Sequence, residues 1–520
     1  MKSTLFKSAV ILSVAALVSK ILGSLFRVPL QNIAGDEVLG IFTLVYPVYM
    51  VALILSVAGI PIAISKLIAE ARAQQDTTAV RHIYSTARIL GIVFGIISFS
   101  LIWFFSAPLA EQLGGQETRL ALVTVATTLL VAPYMAVYRG YFQGHQSMNP
   151  TAISQVIEQF VRVGLILAIA VYLVNANYSA ENIAGGIMIG SVFGAIASLI
   201  YLLSLYAKSD ARVKTETRLT SKEFKTRAKQ ILTLSLPIAF GAITMALLNM
   251  VDSFTIPNAL GNYLGSTEDI TYQYGIYGRG LTIVQIVTVF ASSVILPLIP
   301  TISAKLVKGE KAEATKLVNQ TFFLTLLLSV PAAVGLVVLT TPINLGLFTD
   351  TAGNSVLTII SFSSLFTSLT ILGTGVLQGM DKAKLAAWII VAGVVIKVIL
   401  NIVLVNAYGL EGAAYSTLAI YVLLFIANGI AIRKVVAIPW FTRPDVMVLI
   451  ASLVMGAIIY APMLAIDIEG AGRLAALGYV ALAAAIGGAI YFALLLVTKA
   501  LSPELLQSLP VIGKRFTKTK

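Results

Sequence analysis

Residues 138–169 read YRGYFQGHQSMNPTAISQVIEQFVRVGLILAI, and residues 372–403 read LGTGVLQGMDKAKLAAWIIVAGVVIKVILNIV. Aligning Gln143-Gly144 with Gln378-Gly379 gives an offset of 235, and the same offset sets Arg162 against Lys397. Each stretch carries a polar turn into a long apolar run with a base inside it. A second echo, IPIAISKL at 60–67 against IPTISAKL at 299–306, recurs at an offset of 239 and passes from apolar helix into basic loop both times. Echoes that keep their order along the chain indicate a duplicated architecture.

Composition says in what solvent the two halves work. Of 520 residues, 58% are hydrophobic, 11% are charged and none is cysteine, against about 25% charged residues in an ordinary soluble domain. Apolar runs of the roughly 20 residues that cross a bilayer recur along nearly the whole chain. It reads as an all-α polytopic membrane protein with no separate soluble domain. Residues 6–30 hold Lys20 and Arg27 and lack a small-residue cleavage site, so they are expected to be a retained first helix. With only His82 and His145 and no thiol, disulfides, thiolate nucleophiles and Cys/His zinc sites are excluded or starved of ligands. No metal site and no cofactor is assigned.

Apolar length and Gly, Pro and charge punctuation place 14 transmembrane helices, near 6–30, 38–64, 87–110, 118–142, 151–174, 182–206, 230–257, 271–303, 318–340, 354–378, 385–406, 411–432, 445–466 and 473–499. Alternate loops then separate by sign. On one side fall 29 of the 36 basic residues, and on the other only Arg119 and Arg473, among acids such as Asp36, Glu37, Glu111 and Glu117. Cytoplasmic loops collect Lys and Arg, so both termini are expected in the cytoplasm. The net charge of +13 reflects this sidedness and attraction to anionic membrane lipids; it gives no reason to expect nucleic-acid binding.

The basic linker 208–229 divides the chain into an N-lobe, 1–207 with helices 1–6, and a C-lobe, 230–437 with helices 7–12. Residues 438–520 add helices 13 and 14 and a basic cytoplasmic tail outside the duplication. Six helices per lobe is an even number, so both lobes begin on the same side and the repeats are parallel. Parallel six-helix repeats are a transporter architecture that holds substrate near the midplane.

Seven ionisable residues fall within these spans: Lys20, Arg27, Glu158, Arg162, Asp252, Arg279 and Lys397. A charge at the centre of a membrane helix costs about 2.5–3.5 kcal/mol on insertion scales. Lys20, Arg162 and Lys397 lie near the middle of their helices, whereas Arg27, Asp252 and Arg279 lie in the outer third, where long side chains reach the interface. Glu158 and Arg162 are four apart on one helix and are expected to pair, with Glu158 tuning Arg162. Five cations against two anions leave a positive surplus, which predicts a water-filled cavity that receives an anion. Internal prolines are expected to bend five helices, at Pro47, Pro133, Pro237, Pro297 and Pro331.

Three runs, RGYFQGHQSMNPTAISQVIEQFVR from Arg139, GIPIAISKLIAEA from Gly59 and SKILGSLFRVPLQNIAG from Ser19, together resemble the bacterial polysaccharide-export and lipid II flippase family, the MurJ group, and especially its branch resembling stage V sporulation protein B. The resemblance implies the multidrug/oligosaccharidyl-lipid/polysaccharide exporter fold, with two lobes around a cationic cavity and helices 13 and 14 forming a groove for a polyprenyl tail. It implies that an undecaprenyl-diphosphate-linked cell-wall precursor, lipid II or similar, passes from the inner to the outer leaflet of the bacterial plasma membrane by alternating access. Sodium or the membrane potential is the coupling it implies, and its partners are the lipid-linked sugar and the cell-wall synthesis machinery.

Carried over by position, Lys20 in SKILG matches the family's basic position in helix 1, and Arg279 in YGRGLTIVQ its basic position in helix 8. Arg27 falls one residue from a second basic position in helix 1. The acid expected early in helix 2 is replaced by Gly40, and one expected shortly after Arg279 is absent. The substrate-binding set is thus Lys20, Arg27, Arg162, Arg279 and Lys397, with Glu158 beside them. Asp252 in NMVDSF, helped by Asn249 and by Asn401, is the candidate for cation coupling, where Lys397 would instead supply a fixed positive charge. Two other classes compete. A drug or metabolite antiporter of the same superfamily would stop at twelve helices and would suit a cationic cavity poorly. A membrane-embedded glycosyltransferase or polymerase would need a larger outer loop and acids or His at a reaction centre.

Overall fold

Several long helices begin at short polar signals. Asp76 accepts the amide of Ala79 at 2.8 Å and starts one helix, and Thr220 with Glu223 closes a reciprocal capping box at the head of another. Thr442 and Asp445 repeat the box further on. Such caps satisfy amides that the first turn leaves without partners. The computed structural model describes residues 14–15, 17–209, 219–265, 269–295, 298–437, 439 and 442–501. The start of the first helix, the middle of the basic linker, Pro297 and the basic tail from 502 lie outside the described residues.

Every regular element among the described residues is a helix. In chain order these are α1 (17–25), α2 (Arg27–Val57), α3 (Ile60–Ala73), α4 (Thr77–Phe104), α5 (Ser106–Gln112), α6 (Arg119–Ala126), α7 (Ala132–Gly144), α8 (Asn149–Asn175) and α9 (Ala180–Lys208). After the linker come α10 (Ser221–Leu264), α11 (Ile270–Ile295), α12 (Leu298–Val307), α13 (Lys311–Val338), α14 (Thr340–Phe348), α15 (Asn354–Gly379), α16 (Ala383–Tyr408) and α17 (Leu410–Arg433). The chain closes with α18 (Arg443–Tyr460), α19 (Ile468–Ala471) and α20 (Arg473–Val497). Among the described residues, 10 helical segments are long and apolar enough to cross a membrane, or 11 with the bent pair Ser221–Ala239 and Gly241–Leu264. Two of them, Leu17–Ala73 and Ala383–Arg433, run to 57 and 51 residues, more than twice the roughly 20 that one crossing needs. The chain is a multi-pass, all-helical membrane protein.

Several boundaries differ from the sequence expectation for local reasons. The helix expected at 38–64 ends at Val57 and restarts at Ile60, with Pro61 in the new first turn. The helix expected from 87 begins at Thr77, because Asp76 caps it there, so Arg81 and Arg88 lie on helix rather than in a loop. A 3-10 turn at Thr127–Leu130 interrupts the helix expected at 118–142, and Pro133 therefore starts α7 instead of bending its interior. Proline is tolerated at that place because it lacks only an amide that has no helical partner anyway. Pro47, Pro237 and Pro331 lie inside helices as expected, joined by Pro257.

The duplication is written in the backbone as well as in the letters. Phe105 breaks the first half at φ −92°, ψ 11°, and Leu339 breaks the second at φ −95°, ψ 17°. Left-handed residues follow at Gly114 and Thr349, and again at Gln146 and Asp381, each pair 235 apart. In the last pair the turn closes through the same bonds: the amide of Gln146 to the carbonyl of Gln143, and that of Asp381 to that of Gln378.

Contacts divide the chain into two compact units, Met1–Thr282 with Ile390–Ser416, and Ile283–Ile389 with Thr417–Lys520. This division does not follow the linker at 208–229, because α10 packs along α2, α3 and α4. The first unit has one core around Phe26, Phe42, Leu122 and Ile187, and another around Ile64, Tyr84, Tyr138 and Tyr141. The second has a core around Ile302, Leu372 and Ile432, where α12, α15 and α17 meet. All the residues singled out above as candidate site residues lie in the first unit.

Candidate substrate site

α8 shows how one helix sorts its faces. Phe160 and Tyr172 are 72% and 70% exposed and face outward, whereas Arg162 is 8% exposed and faces the unit's interior. α9 presses Gly190 and Gly194 against this part of α8. A side-chain carbon at Gly190 would lie 2.9 Å from the carbonyl of Arg162, and one at Gly194 would lie 2.7 Å from that of Glu158 and 3.0 Å from Cβ of Arg162. Small residues at that spacing let the two backbones approach, and their approach fixes where the guanidinium stands.

Arg162 shares an aromatic ring with Arg27, the first residue of α2. The Cζ of Arg162 lies 5.8 Å from the centre of the Tyr46 ring, and that of Arg27 lies 5.9 Å from it and 5.4 Å from Phe42. Nη1 of Arg162 donates to the Tyr46 hydroxyl at 3.2 Å. Phe42, Tyr46 and Tyr49 recur at helical spacing on α2, with the first two rings stacked at 5.1 Å. Cation–π contacts of this kind contribute about 0.5–2 kcal/mol each, more when water is excluded. Among the described residues no carboxylate pairs with either arginine, and Nε of each has no acceptor.

The expected Glu158–Arg162 pair is not formed. Glu158 takes Nη2 of Arg139 on α7 at 2.7 Å, and Arg139 also donates to Ser154 and Ser198, both at 3.0 Å. Arg139, at the end of the helix expected at 118–142, is 12% exposed. The charge that Glu158 seemed to owe Arg162 belongs to a closed network on the neighbouring stripe of α8.

Two further cations are fully matched. Arg279, which is completely buried, grips Asp36 through both carboxylate oxygens, with Nε to Oδ1 at 2.6 Å. Nε2 of Gln31 adds a bond to Asp36 at 3.2 Å. Asp36 follows Gly35, whose φ of 82° breaks α2. Asp36 is thus a buried helix partner, not an outer-loop acid, and it supplies the acid that Gly40 does not. Gly40 serves otherwise: a side chain there would strike the carbonyl of Thr271, as one on Gly275 would strike that of Asp36, so α2 and α11 cross backbone to backbone.

Lys397 donates to Asp252 at 2.6 Å, and the same carboxylate accepts Asn401 at 2.9 Å and the Tyr277 hydroxyl at 3.2 Å. Asn401 also donates to Thr255 at 2.7 Å and accepts from Ser416 at 2.5 Å. Lys397 and Asp252 are 1% and 2% exposed. Asn249 is exposed and does not join this cluster, and Lys20 is exposed on α1. A separate cavity of about 620 Å³, lined by Glu111, Gln116, Glu117, Asn258 and Asn262 among others, contains none of the candidate residues.

The four buried sequence-predicted cations therefore divide into two kinds, with Lys20 exposed apart from them. Arg279 and Lys397 are neutralised by partners. Arg27 and Arg162 are held together by aromatic rings without a paired carboxylate among the described residues, an arrangement suited to a multiply charged anion.

Known proteins resemble this chain along nearly its whole length. Residues 5–306 match the family described as polysaccharide biosynthesis protein, and residues 237–403 match the MatE family. The membrane protein YabM of Bacillus subtilis is 30% identical over 520 residues, covering 99% of this chain and 96% of its own. Lipid II flippase MurJ of the same organism is 26% identical over 518 residues, covering 94% of this chain and 95% of its own. The solved inward closed conformation of lipid II flippase MurJ superposes with a TM-score of 0.67 at 16% identity, covering 94% of this chain and all of that one.

Proposed function

We propose that this chain, which belongs to the polysaccharide biosynthesis protein family, translocates a polyprenyl-diphosphate-linked sugar precursor, lipid II or a close analogue, from the inner to the outer leaflet by alternating access. Its family and fold are those of transporters, not of enzymes. One observation carries the reading: Arg27 and Arg162 are buried, lie over the same Tyr46 ring and have no carboxylate partner among the described residues. Guanidinium groups bind phosphate through paired, charge-assisted hydrogen bonds, and a diphosphate brings enough negative charge to satisfy both.

The bacterial plasma membrane, with both termini in the cytoplasm, is the setting that the loop charges support. Fourteen crossings in two six-helix lobes with two added helices are our reading; the two double-length segments, broken at Gly35 and Gly409, support a count above the 10 or 11 apolar segments. Of the two couplings considered, the engagement of Asp252 by Lys397 supports the membrane potential over sodium. Reconstituted wild-type protein should move a fluorescent polyprenyl-diphosphate sugar across the vesicle bilayer, and Arg27→Gln and Arg162→Gln should remain folded yet lose that activity. Wild-type rates in both variants would overturn the reading. Rescue of cells depleted of MurJ would identify the precursor as lipid II.

A further inference from the structure

The run SQVIEQ at 154–159 contains two glutamines that the anion reading leaves unexplained. Gln155, Gln159 and Arg162 stand at i, i+4 and i+7 on α8, and so form one stripe about 10 Å long. The adjacent polar stripe is closed: Ser154 and Glu158 are both taken by Arg139, and Thr151 accepts from Gln143. The glutamine stripe is open. The amide oxygens of Gln155 and Gln159 are sheltered and have no donor among the described residues, although both side chains are only half-buried.

α1 shapes the space beside them. Gly23 has no side chain, and the point its Cβ would take lies 3.4 Å from Oε1 of Gln159 and 3.4 Å from Nη2 of Arg162. One turn earlier on α1, the Ser19 hydroxyl is also sheltered without a partner. Sheltered polar oxygens without partners are unfavourable; the two amide oxygens only accept and do nothing for a phosphate, whereas the Ser19 hydroxyl can accept or donate. What they match is a ligand rich in hydroxyl and amide N–H donors, placed directly beside a diphosphate.

We propose that Gln155 and Gln159, with Ser19, form a sugar subsite that reads hydroxyl and acetamido N–H donors of the first sugar on the diphosphate. This rests on the diphosphate reading of Arg27 and Arg162 and adds specificity to it. A site whose acceptors need a donor rejects a ligand that lacks one. The glutamines thus select a sugar-bearing lipid over the bare carrier.

The test uses the full chain in lipid nanodiscs with two probes, a polyprenyl diphosphate and the same lipid carrying one N-acetylglucosamine. Wild type should prefer the sugar-bearing lipid by about tenfold, the size of one good neutral hydrogen bond. Gln155→Leu/Gln159→Leu should lose that preference and keep its affinity for the bare diphosphate lipid. If the double variant does not fold, each single variant should lose part of the preference. Equal binding of both lipids by wild type, or an undiminished preference in the variants, overturns the sugar subsite and leaves the diphosphate reading standing. Wild-type protein that binds neither lipid overturns both.

Discussion

Arg162 on α8 and Lys397 on α16 hold matching places in the two halves, 235 residues apart, and their surroundings differ in sign. Lys397 meets Asp252, and the carboxylate's remaining valence is filled by Asn401 and Tyr277. Arg162 meets a phenol and a second guanidinium across the same ring. The offset that relates the lysine to the arginine takes Asp252 to Leu17, on a helix that carries Lys20 and no acid. At this position a cation stands in both halves and a counter-charge beside only one. The matched site is held together by its charge, whereas the unmatched site holds a charge ready for something else.

The largest expected effect lies at the matched cations, Lys397 and Arg279. Removing one partner of a buried ion pair leaves the other charge stranded, at about 3–5 kcal/mol. Asp252→Ala should therefore sharply lower the unfolding midpoint in detergent, as should Asp36→Ala, which strands Arg279. Replacing both partners with apolar residues, as in Asp252→Leu/Lys397→Met, should recover most of the loss. Arg162→Gln strands no partner charge and should lower the midpoint by less than either alanine variant. If Arg162→Gln destabilised as much as Asp252→Ala, the contrast between the sites would disappear.

Next in size is the reverse test, on affinity. Arg162→Gln should weaken binding of a polyprenyl diphosphate by roughly ten- to a hundredfold, since hydrogen bonds to charged groups contribute about 1.5–3 kcal/mol. Lys397→Met should change that affinity far less, and isothermal titration with the same lipid reads both variants. A lysine variant as defective in binding as the arginine variant would put Lys397 back into the substrate site.

Much of this contrast was legible in the letters, and the illegible part has a physical cause. The duplication, the helical class and the intramembrane cations follow from apolar length and register. Helix periodicity brings 397 and 401 to one face, and the fold brings Asp252 of α10 to both. The partners of Arg279 and Glu158 were missed because they come from elsewhere in the chain: Asp36 lies 243 residues from Arg279 and looked like a loop acid, and Arg139 stood at the end of another helix. A signal was available for the first. Gly275 and Gly278 precede Arg279 on α11, and small residues close together on a helix let a neighbour approach closely. Phe42, Tyr46 and Tyr49 read simply as an apolar stripe; only packing reveals that two guanidiniums share one of the rings.

Tyr46 should therefore matter, though less than the arginines. Tyr46→Leu removes both ring contacts and should weaken lipid binding by about tenfold, given about 1–2 kcal/mol for a desolvated cation–π contact. Tyr46→Phe keeps the ring, loses only the hydroxyl that accepts from Arg162, and should stay within about threefold of wild type. Equal losses in the two variants would assign the effect to the hydroxyl instead.

The smallest expected effect is no effect at all. Asp252 already has a cation, the Lys397 ammonium, and a carboxylate that accepts three donors in a buried site has no place for a second. Exchanging sodium for choline at constant ionic strength should therefore leave transport and thermal stability unchanged. The same exchange becomes informative in Lys397→Met. There Asp252 keeps the oxygens of Thr255 and Ser416 near Asn401 and lacks a counter-charge, so a small cation that enters should stabilise the fold in proportion to its concentration. Sodium-dependent stability confined to the variant would make the lysine a built-in substitute for a diffusible ion. Sodium-dependent transport by the wild type would mean that the Asp252–Lys397 pair opens during the cycle, and the matched site would then be a working part of the mechanism.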